Sequence, residues 1–318
     1  MSEPVEQAGT PSSVGFGAWD SREIGRPCVV RIGSVLWLFY SGCDTWFEWK
    51  IGSAFSEDGI DWQRLDDDPI MVPPTRRIEG DGPHSYQDPC VVDLDGGLVL
   101  VASAAGGAPG AWLVAAASAD LLEWTPPAEI VAIPPEAGES SVVRSPWLIR
   151  DGRTLHLFAT HLRTAGDGTR RTAILRFVRA GEAWSNAGTA IPAPADAELD
   201  HPCVVALREG GYRLWCSVFR DGEWHIATAT SQDLQTWSGL ARAIEGDQAS
   251  PFETSGVFGP SVLVDNHGFR MWHLTSSRTS DGMSVSVAAR RSADGVTWDR
   301  VSPRPVFSPR PGIPIRPW

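Results

Sequence analysis

The sequence predicts an all-β protein, a five-bladed β-propeller with four antiparallel strands per blade, and three observations carry that prediction. The first is a fivefold internal repeat. The second is a proline opening one strand of each unit, at Pro27, Pro89, Pro146, Pro202 and Pro260, so that successive prolines lie 62, 57, 56 and 58 residues apart. The third is a tryptophan closing each unit, at Trp62, Trp124, Trp184, Trp237 and Trp298, always 35 or 38 residues after its proline. A period of this length, divided among short strands, is the signature of propeller blades.

Each unit opens with a short apolar run: Cys28-Val29-Val30, Cys90-Val91-Val92, Trp147-Leu148-Ile149, Cys203-Val204-Val205 and Ser261-Val262-Leu263. A turn follows, containing Gly33, Gly96, Gly152, Gly210 or Gly268, where glycine supplies the positive φ that tight hairpins need. The second strand alternates aromatic and aliphatic residues, as in Leu36 to Tyr40, Leu155 to Phe158 and Tyr212 to Trp215. Strands three and four flank Ser56 to Trp62, Ser118 to Trp124, Ser231 to Trp237 and Ser292 to Trp298, while the third unit keeps only Gly181 to Trp184. The blades run approximately over 19–74, 75–135, 136–192, 193–248 and 249–309, one domain over 19–309, with an N-terminal extension 1–18 and a tail 310–318.

Composition fits a soluble, well-packed chain, 42% hydrophobic, with no apolar run long enough to span a membrane and no charged-then-apolar leader over Met1 to Ser13. The five cysteines are an odd number, and Cys28, Cys90 and Cys203 share one strand position, so they are expected to pack as small apolar residues in a reducing, cytoplasmic compartment. A net charge of -12 argues against nucleic acid as a partner, because phosphate binding draws on a surplus of Lys and Arg. No basic amphipathic stretch suggests a membrane surface, and the only lysine among 27 basic residues is Lys50.

In a propeller the first strands line the central tunnel, so the residues before each repeat proline converge at one end of the axis and form the default ligand pocket. Those pairs are Gly25-Arg26, Gln87-Asp88, Arg144-Ser145, Asp200-His201 and Phe258-Gly259. About seven residues before the prolines stand Asp20, Asp81, Glu139 and Glu253, with Asp196 and Glu198 in the fourth unit. Asp88, Asp20, Asp200 and Glu139 are the candidate catalytic carboxylates, and His201 and His84 the candidate histidines, since a His near carboxylates can move a proton at neutral pH. His156, inside an apolar strand, reads as a core residue. Arg26 and Arg144 are expected to face the pocket, with Arg163, Arg170, Arg171, Arg220 and Arg278 in loops around it; a guanidinium cluster suits a carboxylate or phosphate on a substrate. Tyr86 and His161 join the candidate substrate-binding residues, as do Trp46 and Phe47, which can stack on a sugar ring from the first-unit insertion Cys43 to Trp49. No His-x-x-x-His or paired Cys spacing points to a metal, and no cofactor is expected.

The phrases Arg26-Pro-Cys-Val-Val, Leu36-Trp-Leu-Phe-Tyr-Ser-Gly42, Ile51 to Trp62 and Gln87-Asp-Pro-Cys-Val resemble the blade consensus of the five-bladed propeller glycoside hydrolases, families 43, 62, 32, 68, 117 and 130, over roughly Trp19 to Pro309. The resemblance implies family 43 inverting chemistry: a general-base Asp before the first-blade proline, an orienting Asp in the second blade and a general-acid Glu before the third-blade proline. Asp88 matches the second position, whereas Arg26 stands at the first and Arg144-Ser145 at the third; arginine stays protonated and serves as neither carboxylate. In family 117 a histidine is thought to take the acid role. The fifth-blade Gly-His that helps hold an axial ion in family 43 is Gly259-Pro260 here. The leading expectation is a glycoside hydrolase-like enzyme acting on a small glycoside or related polyhydroxylated molecule. The alternatives are a propeller repurposed for small-molecule biosynthesis (elimination, cyclisation or group transfer) whose substrate carries an anionic group held by Arg26 and Arg144, a phosphorylase, and a non-catalytic carbohydrate-binding module.

Overall fold

The computed structural model describes residues 18–74, 82–94, 96–106, 110–280 and 282–311; Asp81, most of the expected N-terminal extension and most of the expected tail lie outside them. Among the described residues every regular element is a strand. Repeat one supplies β1 (Glu23–Ile24), β2 (Cys28–Ile32), β3 (Val35–Cys43), β4 (Trp49–Ser56) and β5 (Gln63–Arg64). Repeat two supplies β6 (Ser85–Leu94), β7 (Gly97–Ala105), β8 (Gly110–Ser118) and β9 (Ala128–Val131), and repeat three β10 (Ser140–Asp151), β11 (Thr154–Thr164), β12 (Arg170–Ala180) and β13 (Ala183–Pro192). Repeat four supplies β14 (Glu198–Ala206), β15 (Tyr212–Arg220), β16 (Glu223–Ser231) and β17 (Ala241–Ile244), and repeat five β18 (Gly256–Asp265), β19 (Gly268–Thr279), β20 (Gly282–Ser292) and β21 (Asp299–Arg300). Each repeat is thus an antiparallel meander of four strands, the first of them split into β1 and β2 in repeat one. Repeats two and three, and four and five, are joined into larger sheets by short parallel pairings, Ser141 with Gly110 and Trp224 with Gly256. Among the described residues no helix is long and apolar enough to cross a membrane.

One set of contacts ties each repeat to the next and a second joins four of the five neighbouring pairs, and both return from the fifth to the first. On the inner strands the residue after the repeat proline accepts from a backbone N–H of the neighbour: Cys28 Sγ from Val91 at 3.2 Å, Cys90 Sγ from Leu148 at 3.1 Å, Cys203 Sγ from Val262 at 3.3 Å and Ser261 Oγ from Val29 at 2.8 Å. In repeat three Trp147 stands at that position and its indole N–H donates to Val204 O at 2.7 Å. All five cysteines are free and buried. The three at the repeated position are therefore weak acceptors that satisfy inner-strand amides as well as apolar fillers, a role that their burial alone did not suggest.

The second set is aromatic. Trp124 meets Phe39 edge-on at 6.0 Å, Trp237 meets Phe158 at 5.9 Å, Trp298 meets Trp215 at 6.0 Å and Trp62 meets Trp272 at 6.2 Å. Four of the five closing tryptophans thereby pack on the second strand of the preceding repeat, with repeat one packing on repeat five. The turns before these tryptophans are held by one aspartate each: Asp58, Asp120, Asp233 and Asp294 accept two backbone N–H groups with a single oxygen, which holds these carboxyls below the usual range. Repeat three lacks the box because β12 and β13 are joined directly through Gly181, at φ 65°.

Candidate functional site

The residues before the repeat prolines owe their placement to a bulge. The pairing of β6, β10, β14 and β18 shifts register at Asp88-Pro89, Ser145-Pro146, His201-Pro202 and Gly259-Pro260. There Asp88, Ser145, His201 and Gly259 take φ values of 53°, 54°, 51° and 62°. Gly259 adopts this left-handed conformation freely, whereas each of the other three costs about 1–3 kcal/mol, a strain that native proteins concentrate at working sites. The freed amides are capped by the preceding repeat: Asp88 N donates to Ser41 Oγ, Ser145 N to Ser103 Oγ and Gly259 N to Ser217 Oγ, each at 2.8 Å. His201 departs from the pattern; its amide donates to its neighbour Asp200 Oδ1 at 2.8 Å, and the hydroxyl of Thr160, the equivalent cap, is buried without a partner.

The bulges bring Asp88, Ser145 and His201 together. Asp88 Oδ2 accepts from Ser103 Oγ and Ser145 Oγ, both at 3.1 Å, and its Oδ1 lies 3.9 Å from His201 Nε2. His201 Nδ1 is 3.1 Å from Ser217 Oγ. Burial lowers the proton affinity of His201 and outweighs the opposing pull of Asp200 and Asp88, so the imidazole is neutral at pH 7. Asp200 is 3% exposed and its Oδ2 is held by Arg144 Nη2 at 2.6 Å. Burial pushes the Asp200 carboxyl up, but His201 and Arg144 more than offset this and hold it well below the usual carboxylate range. With His201 neutral, the cation that keeps Asp200 ionised at pH 7 is Arg144.

Arg26, expected to face a substrate, is 1% exposed and spends its donors elsewhere: Nη1 on Pro146 O at 3.1 Å and Nη2 on Pro202 O. It replaces a pocket ligand by a brace, tying repeat one to the bulges of repeats three and four. Asp20 is likewise a clasp and not a free base. It is fully buried, accepts from Tyr40 OH at 2.8 Å, and pairs with Arg64 at 2.8 Å and Arg310 at 3.0 Å. Glu139 accepts twice from Arg163, and Glu253 is buried between Arg290 and Arg300. Both carboxylates are committed to ion pairs, which for Glu139 replaces the acid or base role expected of it.

The loop arginines are engaged in the same way, Arg163 with Glu136 and Glu139, Arg170 with Glu198 and Arg220 with Asp196. Together with Arg144 on Asp200, four of the seven arginines expected to hold an anion are paired with carboxylates. Arg171 and Arg278 are exposed. His84 and His161 are half-buried; His161 Nε2 lies 3.0 Å from Ser141 Oγ, and no bond joins either histidine to Asp88. His156 is buried and contacts Arg176 at 3.2 Å, as a core residue should. Tyr86 is buried at 3% exposure, whereas Trp46 is 69% exposed and Phe47 stacks under Arg22 at 4.1 Å. Among the described residues no three His, Cys, Asp or Glu side chains converge as metal ligands. A groove of 410 Å³ lined by Asp247, Ser250, Pro251, Arg300 and Ser302 shares no residue with the Asp88 cluster.

Aromatic residues that the sequence reading passed over complete the cluster. Trp224 meets the His201 ring at 6.3 Å, Phe258 meets it at 6.0 Å, and the two lie 5.6 Å from each other. Phe219 backs Trp224 at 5.1 Å, its cross-strand partner on β15 and β16. All three are half-buried. Phe258 occupies the second position before a repeat proline, and that was the available signal; Trp224 follows the Asp221-Gly222 turn and had none.

No family model matches the chain, and neither does any curated protein. Solved structures do match. A thermostable family-43 glycoside hydrolase aligns at a TM-score of 0.65 and 17% identity over 90% of this chain and 96% of its own. A glycosyl hydrolase from Bacteroides ovatus aligns at 0.64 and 14% identity over 90% and 89%, and an exo-1,5-alpha-L-arabinanase from a bovine ruminal metagenomic library at 0.62 and 12% over 87% and 97%. These likenesses establish an all-β fold shared with glycoside hydrolases.

Proposed function

We propose that the chain is a five-bladed propeller enzyme, one domain over residues 19–309, that acts on a small glycoside or related polyhydroxylated molecule with His201 as its general base. The observation that carries this reading is the juxtaposition of a neutral, buried imidazole with the Asp88 carboxylate on two strained bulges. The fold shared with glycoside hydrolases supports it.

The chemistry follows from the distances. Inverting glycosidases keep two carboxyl groups roughly 6.5–9.5 Å apart to admit water and substrate between them. His201 Nε2 and Asp88 Oδ1 are 3.9 Å apart, too close for that arrangement and too far for a hydrogen bond. The pair acts on one proton. Donation from Nδ1–H to Ser217 Oγ leaves the Nε2 lone pair free to take a proton from water or a substrate hydroxyl. The imidazolium so formed has Asp88 at 3.9 Å and Asp200 at 4.0 Å to stabilise it. Asp200, locked in its ion pair, holds charge and does not carry protons.

A base without a protonated partner cleaves best where the leaving group needs no help. A panel of nitrophenyl furanosides and pyranosides is therefore expected to turn over, with rates falling steeply as the leaving group becomes more basic. Asp88→Asn and His201→Gln each lower kcat at least 100-fold, within the range for loss of a general base. Because burial lowers the His201 pKa, kcat/KM, which follows the free protein, declines at a pH below the ordinary histidine value. Silence across the panel from a folded sample, with and without phosphate, overturns the hydrolase reading.

A further inference from the structure

We infer that Trp224 and Phe258, backed by Phe219, form a ring-stacking subsite beside His201, and that the ring it takes is an uncharged sugar. The inference deepens the proposed function and rests on its placement of the active centre at Asp88 and His201.

The wall is built for a flat, partly apolar face. Trp224 and Phe258 lie side by side, 34° from coplanar, and both rings stand about the His201 imidazole, Phe258 also packing against the core that contains Trp272 and Leu274. Half-buried aromatic residues leave ring surface in contact with solvent, which a ligand's C–H groups can cover. The negative π-face attracts the slightly positive C–H bonds of one sugar face, while the opposite face and the rim carry hydroxyls for polar partners. Two such groups lie there: the His201 imidazole against the wall and, 3.9 Å from it, the Asp88 carboxyl group. An apolar wall with a few converging polar groups is the usual make-up of a small-ligand site.

Electrostatics then chooses among sugars. The bonded partners of the Asp88 carboxyl group are the neutral hydroxyls of Ser103 and Ser145. The Asp200 charge is balanced by Arg144, and the surrounding arginines are taken up by Glu139, Glu198 and Asp196. A uronate or sugar phosphate entering here meets the Asp88 carboxylate, while Arg144 is already paired with Asp200 and Arg26 is buried with its donors on two backbone carbonyls. A neutral ring meets hydroxyl acceptors and an apolar face.

The test measures binding apart from turnover. Methyl pentosides and hexosides, and the corresponding uronates, are titrated into the protein by ligand-observed NMR and calorimetry. Neutral rings are expected to bind, and uronates at least tenfold more weakly. Trp224→Ala weakens neutral binding at least tenfold, and Trp224→Leu, which keeps apolar bulk but removes the flat face, does the same with near-UV circular dichroism unchanged. Equal affinity in both variants, tighter uronate binding, or no binding of any methyl glycoside overturns the inference. Trp224-dependent binding without turnover of nitrophenyl glycosides supports the subsite while ending the hydrolase reading; turnover with KM unchanged in Trp224→Leu does the reverse.

Discussion

Arg26→Ala lowers the stability of the folded chain by about 3–5 kcal/mol, the scale for breaking a buried charged contact. The guanidinium is 1% exposed and donates to two carbonyls, Pro146 O and Pro202 O, with its Cζ 5.3 Å from the Trp147 ring. Truncation leaves both carbonyls without a donor in a site too buried for free hydration, and leaves a cavity where the side chain lay. Pro146 and Pro202 directly follow Ser145 and His201, the strained residues of the centre, so the same brace holds the bulges that aim those side chains at Asp88. Arg26→Lys restores less than half of the loss, because one ammonium cannot span two carbonyls as the planar fork does. Urea titration reads the change as a lower midpoint at constant slope. A loss of under about 1 kcal/mol shows that burying the charge cancels its bonds, as happens in some buried ion pairs, and removes the brace as a source of stability.

That a residue predicted to face a ligand turns out to be structural exposes what repeat alignment reads and what it does not. The spacing of prolines and tryptophans marked the repeated strands, because those positions depend on local backbone rules: proline withholds a donor and glycine takes positive φ; it did not announce the bulges before the prolines. Asp88, Asp200 and His201 were reached the same way. Which groups are spent is a long-range matter. Asp20 was read as a loop carboxylate, yet it meets Arg64 and Arg310, 44 and 290 positions along the chain, and is fully buried with them. The same holds for the arginines, whose types and loop positions suggested an anion site but whose carboxylate partners lie in the adjoining segments. The place of His201 before a repeat proline was legible, but its neutrality follows from burial, and its aromatic surroundings from a tryptophan in another strand.

Stability is expected to fall by about 3 kcal/mol between pH 6.5 and pH 4 through His273 alone. This histidine is fully buried on β19, and both ring nitrogens are assigned by their neighbours. Nδ1–H donates to Leu274 O at 3.1 Å, which makes Nε2 the acceptor of the Arg290 Nε–H, also at 3.1 Å. A proton on Nε2 would face that donor head-on, beside a guanidinium. Burial, reinforced by Arg290, accordingly pushes the pKa down to about 4, and the pull of Glu253 only partly opposes it. The sign follows from proton counts. In the window the unfolded chain protonates this histidine at its ordinary pKa while the folded chain does not, so acid favours unfolding, and the contribution is complete once pH passes below the folded pKa. His201 and His156, whose pKa values burial also lowers, act in the same direction. The depressed Glu253 carboxyl adds its own loss only at lower pH, as it protonates away from Arg290 and Arg300. Urea midpoints at pH 7.5 and 5.0 measure the slope, and His273→Gln, whose side-chain oxygen can accept from Arg290 without titrating, separates the sources. A flatter slope in the variant assigns the acid sensitivity to His273; an unchanged slope means that the folded chain relaxes around the charged ring, with Glu253 turning from the arginines toward it.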